Sequence, residues 1–434
     1  MSLILIKAKH ILTQNKKRQI IKDGAIVIEK DKIKDLGAAK IITRKYGGKI
    51  KKTIEMENGM AMPGLINTHT HLAMALLRGY ADDMPLEKWW REKIFPFEAK
   101  LTEEDIYWGT LLGGLEMIKS GTTFFVDFYF FIDAIVRATK ELGLRANIGI
   151  PVLDFKAPEF DTPVQALRAV PQFVKRYKKE ELIDFSVAPH MIQTTSLETY
   201  KKCKKIADKY KLILQTHLAE TKNEVRHSVK KYKKPPAELL IKNNILDNHS
   251  LVAHCCYLNK KEIKLLAQKK VKISHCPISN MKLASGVKPL NELFEAGVTI
   301  SLGTDGASSN NNLDTFEEMK VGALLHKISR LDPTIANAQT ILDMATIGGA
   351  KAIGKERQIG SLERGKKADI IILDFNQPHL MPWHNIVSHL VYSANGHDVT
   401  TSIINGKIVM ENRRVKTADE QKILDTIKKK YSFC

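Results

Sequence analysis

The chain has 434 residues, 44% hydrophobic and 27% charged, which suits a globular protein of one large domain or two ordinary ones. It holds no apolar run long enough to span a bilayer, and its opening Met-Ser-Leu-Ile-Leu-Ile-Lys is too short for a signal segment, so a cytoplasmic protein is expected. The formal charge of +20 raises nucleic-acid binding, but the basic residues (175–179, 201–205, 260–270) are scattered over presumed outer helices and hold a single aromatic, Tyr177, not the interleaved set of a single-strand groove, so a solvated basic surface is expected instead.

In chain order, strand-like runs come first at residues 3–6, 24–28 and 32–37, separated by polar turns. Eight apolar runs follow, at 61–66, 123–126, 146–153, 183–188, 212–216, 250–253, 271–274 and 298–302. Helical patterns such as 103–119 and 197–210 separate them. Eight strand–helix repeats are what a (β/α)8 TIM-type barrel needs, and such barrels carry their sites where the strands end. Residues 369–374 and 401–410 again look like strands, the second with an Asn405-Gly406 turn, so both termini are β-like. The five cysteines, Cys203, Cys255, Cys256, Cys276 and Cys434, show no C-x-x-C spacing and read as reduced, mostly buried thiols.

The residues closing the eight runs carry the chemistry. They are His69 and His71, then Asp127, His190, His217 with Glu220 behind it, His254, His275 and Asp305. Alternation along a strand puts His69 and His71 on one side. Any one of these histidines alone would read as a satisfied polar residue under a loop; six of 14 at strand ends do not. His69, His71 and His217 offer three nitrogen ligands and Asp305 one oxygen, a sound inner sphere for a catalytic divalent ion that keeps one water. Such an ion brings the water's pKa towards neutrality. Asp305 can also accept the water's proton, His254 can hydrogen-bond the water or an oxyanion, and Glu220 can carry a proton to a ring nitrogen and a leaving amine.

These segments resemble the amidohydrolase superfamily, and within it the deaminases that act on 5'-methylthioadenosine and S-adenosylhomocysteine. The matching stretches are PGLINTHTHLAMALLRG (63–79), PVLDF (151–155), QTHLAET (215–221) and VAHCCYL (252–258). SHCPISNMKLASG (274–286), LGTDGASSNNNLD (302–314) and GSLERGKKADIIILD (360–374) complete the set. The resemblance implies an α/β fold: a metal-dependent barrel over 61–365 and a small β-sandwich domain built from both termini, 1–60 and 366–434. It implies that His69, His71, His217 and Asp305 bind one divalent ion per subunit, zinc before iron(II). His190 stands where two-metal relatives offer a modified lysine, which also argues for one ion. By the same mapping Glu220 shuttles protons, His254 polarises the water, Glu98 binds the ribose hydroxyls and His190 contacts sugar or base.

The implied activity is hydrolytic deamination of an adenine nucleoside: adenosine, 5'-deoxyadenosine, 5'-methylthioadenosine or S-adenosylhomocysteine. The stretch Met191-Ile-Gln-Thr departs from the family pattern on the 5' side of the substrate, and the arginine pair that some relatives use for the homocysteine carboxylate is missing. Arg168 and Arg176 fall in presumed helix. A chlorotriazine hydrolase or a guanine or cytosine deaminase would share the ligands; a silent scaffold on this fold would have lost some, and none is lost. Relatives are often dimers or tetramers, and nothing in the sequence chooses.

Overall fold

The computed structural model describes residues 3–431, so Cys434 lies outside the described residues. It contains two eight-stranded sheets. The first is assembled from both ends of the chain: β1 (Leu3–Leu12), β2 (Ile20–Glu29), β3 (Lys32–Ala38) and β4 (Ile50–Pro63). The second is the parallel barrel: β5 (Leu65–Thr70), β6 (Thr122–Phe128), β7 (Arg145–Val152), β8 (Ile183–Pro189), β9 (Ile213–Leu218), β10 (Ser250–His254), β11 (Lys272–His275) and β12 (Ile300–Leu302). The chain then returns to the first sheet with β13 (Ile370–Asp374), β14 (Val399–Ile404), β15 (Lys407–Glu411) and β16 (Arg414–Val415).

The terminal sheet runs β16-β15-β14-β13-β4-β1-β2-β3, so β4 is the seam between the N-terminal and C-terminal strands. Ile6, Ile26, Ile28, Ile54, Ile370 and Ile372 form its core. The Asn405-Gly406 turn joins β14 to β15 as its residue types require.

The apolar run at 61–66 is divided, not one strand. Its first half ends β4, where Pro63 pairs with Ile370, and its second half begins β5 in the barrel. Gly64 marks the break: its N–H donates to the Asp369 carbonyl at 3.0 Å, and a Cβ there would lie 2.1 Å from Thr123 Oγ1. Two helices that the sequence reading did not include, Ala39–Tyr46 and Glu420–Tyr431, also sit within the two β-like ends.

Inside the barrel a polar layer replaces the usual branched apolar residues. Thr68 Oγ1 bonds Ser274 at 2.7 Å, Ser301 at 2.8 Å and the Leu302 carbonyl at 2.8 Å, linking β5 to β11 and β12. Gln215 reaches from β9 to Ser186 (2.7 Å) and the Asp127 carbonyl (2.9 Å), through space that only a glycine at 149 leaves free. The outer helices follow the expected periodicity. Helix Ile132–Leu142 buries Ile132, Ile135, Val136, Thr139 and Leu142, one apolar stripe. Helix Glu103–Lys119 begins at a Thr102–Asp105 capping box. Among the described residues no helix is long and apolar enough to cross a membrane, and Cys203, Cys255, Cys256 and Cys276 are free and buried.

Candidate active site

The barrel's strand ends converge on a cleft of about 340 Å³. Glu98, His190, His217, Glu220, His254 and Asp305 all line it, as does His71, with His69 buried behind. One strain signature marks the place. Ala219, His254, Cys255 and Asp305, none of them glycine, all adopt positive φ, at 49°, 68°, 58° and 60°. Each lies at or just past a strand end, and of the four His254 and Asp305 line the cleft.

Three imidazoles form the floor. Ligand nitrogens of His69, His71 and His217 lie within 4.8 Å of one another. His71 Nδ1 donates to the Phe128 carbonyl at 2.6 Å, and His217 Nδ1 donates to the His190 carbonyl at 3.1 Å. A carbonyl only accepts, so in each neutral ring the free lone pair sits on Nε2 and faces the centre. His69 Nε2 is buried without any hydrogen-bond partner. An unpaired buried nitrogen is costly, and a cation at the common centre would satisfy it. The donor set therefore fits a divalent ion.

Asp305 closes the fourth side, with Oδ1 3.2 Å from His71 Nε2 and 3.6 Å from His69 Nε2. Its other oxygen accepts from Ser279 Oγ (2.6 Å) and Ser309 Oγ (3.0 Å). Burial and neighbouring imidazoles hold His69 and His217 well below the ordinary histidine value, so both are neutral and able to coordinate. His71 goes the other way: burial is outweighed by the Asp305 carboxylate, which carries it to about 9. A cation entering there displaces that proton.

Above the floor stand the acid–base groups. Glu220 accepts from Ser285 Oγ at 3.2 Å and faces His254 Nε2 at 3.8 Å. Burial, and then the charge of Asp305, pushes its carboxyl up to about 8. Burial lowers His254 to about 4 and His190 to about 3, so both rings are neutral at pH 7. His190 Nδ1 is bonded to Thr194 Oγ1 at 2.7 Å. Glu98, at the end of the short helix Phe95–Glu98, is 5% exposed, and burial raises it to about 7.

Two strand-end residues do other work. Asp127 accepts the Leu72 N–H at 2.8 Å and so anchors the turn after His71. His275 Nε2 is hydrogen-bonded to Nε2 of His326, from helix Thr315–Arg330, at 2.9 Å. Neither lines the cleft, nor do Arg168 and Arg176, which lie in helix Pro163–Arg176. Met191, Gln193 and Thr194, from the departing stretch, do line it, as do the aromatic residues Trp90, Phe95 and Phe155, which pack on one another. Sequence reasoning passed over Ser279, Asn280 and Ser285. They are uncharged and common in loops, and only their place in the SHCPISNMKLASG stretch singled them out.

The amidohydrolase family profile matches residues 60–409. The chain belongs to the amidohydrolase family. Within it, the chain is 42% identical over 422 residues to a 5-methylthioadenosine/S-adenosylhomocysteine deaminase of Thermodesulfovibrio yellowstonii, covering 97% of this chain and 96% of that one. It is 43% identical over 428 residues to a 5'-deoxyadenosine deaminase of Methanosarcina mazei, covering 98% and 97%. In three dimensions this amidohydrolase is similar to the zinc-bound crystal structure of an adenosine deaminase from Xanthomonas campestris, with a TM-score of 0.94, 32% identity and coverage of 98% and 97%.

Proposed function

We propose that this amidohydrolase is a hydrolytic deaminase that replaces the 6-amino group of an adenine nucleoside with oxygen and releases ammonia. The observation that carries the reading is Glu220, a buried carboxyl raised to about 8, standing at 3.8 Å from His254 over the three-histidine floor. A carboxyl so placed can hold a proton at neutral pH and deliver it to a heteroaromatic ring nitrogen. The named activities of the relatives point the same way.

In this reading His69, His71, His217 and Asp305 hold one divalent ion, zinc first and iron(II) second. When bound, the ion supplies a water made acidic enough to act as nucleophile near neutral pH. Asp305 accepts the water's proton. Glu220 protonates the purine at N1 as C6 is attacked, and His254 hydrogen-bonds the oxygen as charge develops on it. Asp305 then gives its proton to the amino group, which leaves as ammonia, while Glu220 takes back the proton of the new C6 hydroxyl as the 6-oxo product forms. Glu98 accepts from the ribose hydroxyls and His190 packs against the sugar.

In this reading the 5' substituent meets Met191, Gln193 and Thr194 together with the aromatic wall of Trp90, Phe95 and Phe155, all of which line the cleft. That wall suits a methyl or thioether group, since sulfur packs favourably at ring edges. Arg91 is the one fixed cation among the lining residues described. We therefore rank 5'-methylthioadenosine and 5'-deoxyadenosine ahead of S-adenosylhomocysteine.

The test is an ultraviolet assay on purified enzyme of known metal content, across adenosine, 5'-deoxyadenosine, 5'-methylthioadenosine, S-adenosylhomocysteine, guanine, cytosine and a chlorotriazine. An adenine-to-hypoxanthine change led by one nucleoside supports the reading; turnover of another heterocycle alone defeats it. Glu220→Gln should lose activity by about 10²–10⁴-fold at unchanged metal content.

A further inference from the structure

The stretch Ser279–Ser285 touches three groups of the proposed machinery, and no role has yet been given to its central residue. Asn280 sits in the short helix Pro277–Lys282 after β11 and is 1% exposed. Its side-chain Nδ2 lies 2.9 Å from His254 Nδ1, and its backbone carbonyl accepts the Ser285 N–H at 2.9 Å. The Ser285 hydroxyl in turn donates to Glu220 at 3.2 Å. The neighbouring Ser279 holds Asp305. The helix is tied from behind by Glu318, a fully buried carboxyl that accepts from the Ile278 N–H at 3.5 Å and from Asn310.

We propose that Asn280 is a positioning residue that fixes His254 in the tautomer protonated on Nε2, so that this ring presents a donor to the reacting oxygen. An amide NH2 can only donate, so the His254 nitrogen facing it must carry the lone pair. The proton then lies on Nε2 of a ring that lines the cleft, 3.8 Å from Glu220 Oε2 and so not tied up in a hydrogen bond to it. The opposite amide orientation would take Nδ1–H to the amide oxygen and leave Nε2 a bare lone pair with no hydrogen to offer the reacting oxygen. The same residue, through its carbonyl and Ser285, keeps Glu220 at the height where it meets that ring.

The inference rests on the deaminase reading for what His254 does, but its first test does not need turnover. In the holoenzyme labelled with 15N-histidine, His254 is assigned by the signal lost in His254→Asn. Its Nδ1 should show the shift of an unprotonated nitrogen and its Nε2 that of a protonated one. In Asn280→Asp, where a carboxylate of the same shape accepts from Nδ1–H, the two shifts should exchange. With the best nucleoside substrate, kcat should fall about 10²-fold, the scale of losing one oriented donor, with KM and bound metal within twofold of the parent. Asn280→Ala, which frees the ring, should fall between the two. A wild-type ring protonated on Nδ1 would overturn the proposal. So would kcat unchanged per bound metal in Asn280→Asp, or a loss of activity that only tracks lost metal and lowered Tm. If the parent enzyme deaminates no adenine nucleoside, the function reading fails by itself, while the nitrogen shifts still decide the tautomer.

Discussion

In the ribose-binding role proposed for it, Glu98 would be a carboxylate that burial turns into a pH-dependent anchor. Below about 7 its carboxyl is protonated because desolvation penalises the charge; above that it is an anion able to accept from two ribose hydroxyls. The sign follows: affinity for a ribonucleoside should strengthen as pH rises through about 7. The KM ratio of 2',3'-dideoxyadenosine to adenosine should therefore grow between pH 6 and 8. Glu98→Gln should flatten that ratio and cost about 10–100-fold in kcat/KM for adenosine, the range for a hydrogen bond to a charged group. A ratio independent of pH in the parent would remove Glu98 from the ribose. Much of this residue-level arrangement was legible in the sequence, because strand ends are where barrel chemistry sits. His69, His71, His190, His217 and His254 do share one centre. His275 does not, since its partner His326 lies on a helix far along the chain, and no spacing announces such a pair. Asn280 stayed hidden for the opposite reason: its type carries no chemical signal until its neighbour is known to be His254.

At the scale of elements, repeats were easier to read than their junctions. Helices Glu103–Lys119 and Leu197–Tyr210 run over the residues that periodicity marks. The run at 61–66 misled because hydrophobicity is continuous across Gly64, and only the Asp369 carbonyl waiting there reveals the change of sheet. Paired helices also carry the clearest acid response. Glu238, in helix Pro236–Lys242, bonds Lys242 (2.7 Å) and Lys261 (2.8 Å) of helix Lys260–Gln268. The bond to Lys242, then that to Lys261, lowers its carboxyl from 4.5 to about 2. A depressed acid stabilises the fold above its unfolded value and gives that up as pH falls through the folded one. Glu238→Gln should thus lower Tm at pH 6, and the difference from the parent should shrink from pH 4.5 downward and vanish near 2. A difference constant with pH would mean that the lysines contribute nothing through charge.

At the scale of the whole molecule, the barrel and the terminal sheet are joined by a buried ion pair. Arg145, at the start of β7, meets Asp369, just before β13, at 2.7 Å, with side-chain exposures of 7% and 2%. Asp369 also accepts the Asn405 N–H at 2.7 Å, so its charge is fully employed. Arg145→Ala strands that carboxylate and should cost about 3–5 kcal/mol, as breaking buried pairs does. Urea unfolding should show the loss persisting in ~1 M salt, where exposed pairs are screened. A loss that salt abolishes would mean that water already reaches the pair.

The seam at β4 has a consequence for how the protein is made. β1 and β4 are complete before the barrel begins, yet the other neighbour of β4, β13, leaves the ribosome only after the last barrel strand. At about 5–20 residues per second that wait is on the order of tens of seconds. Throughout it, the strand that leads into His69 and His71 offers one open edge, a template for any stray segment. A chaperone bound during synthesis would have that edge to cover.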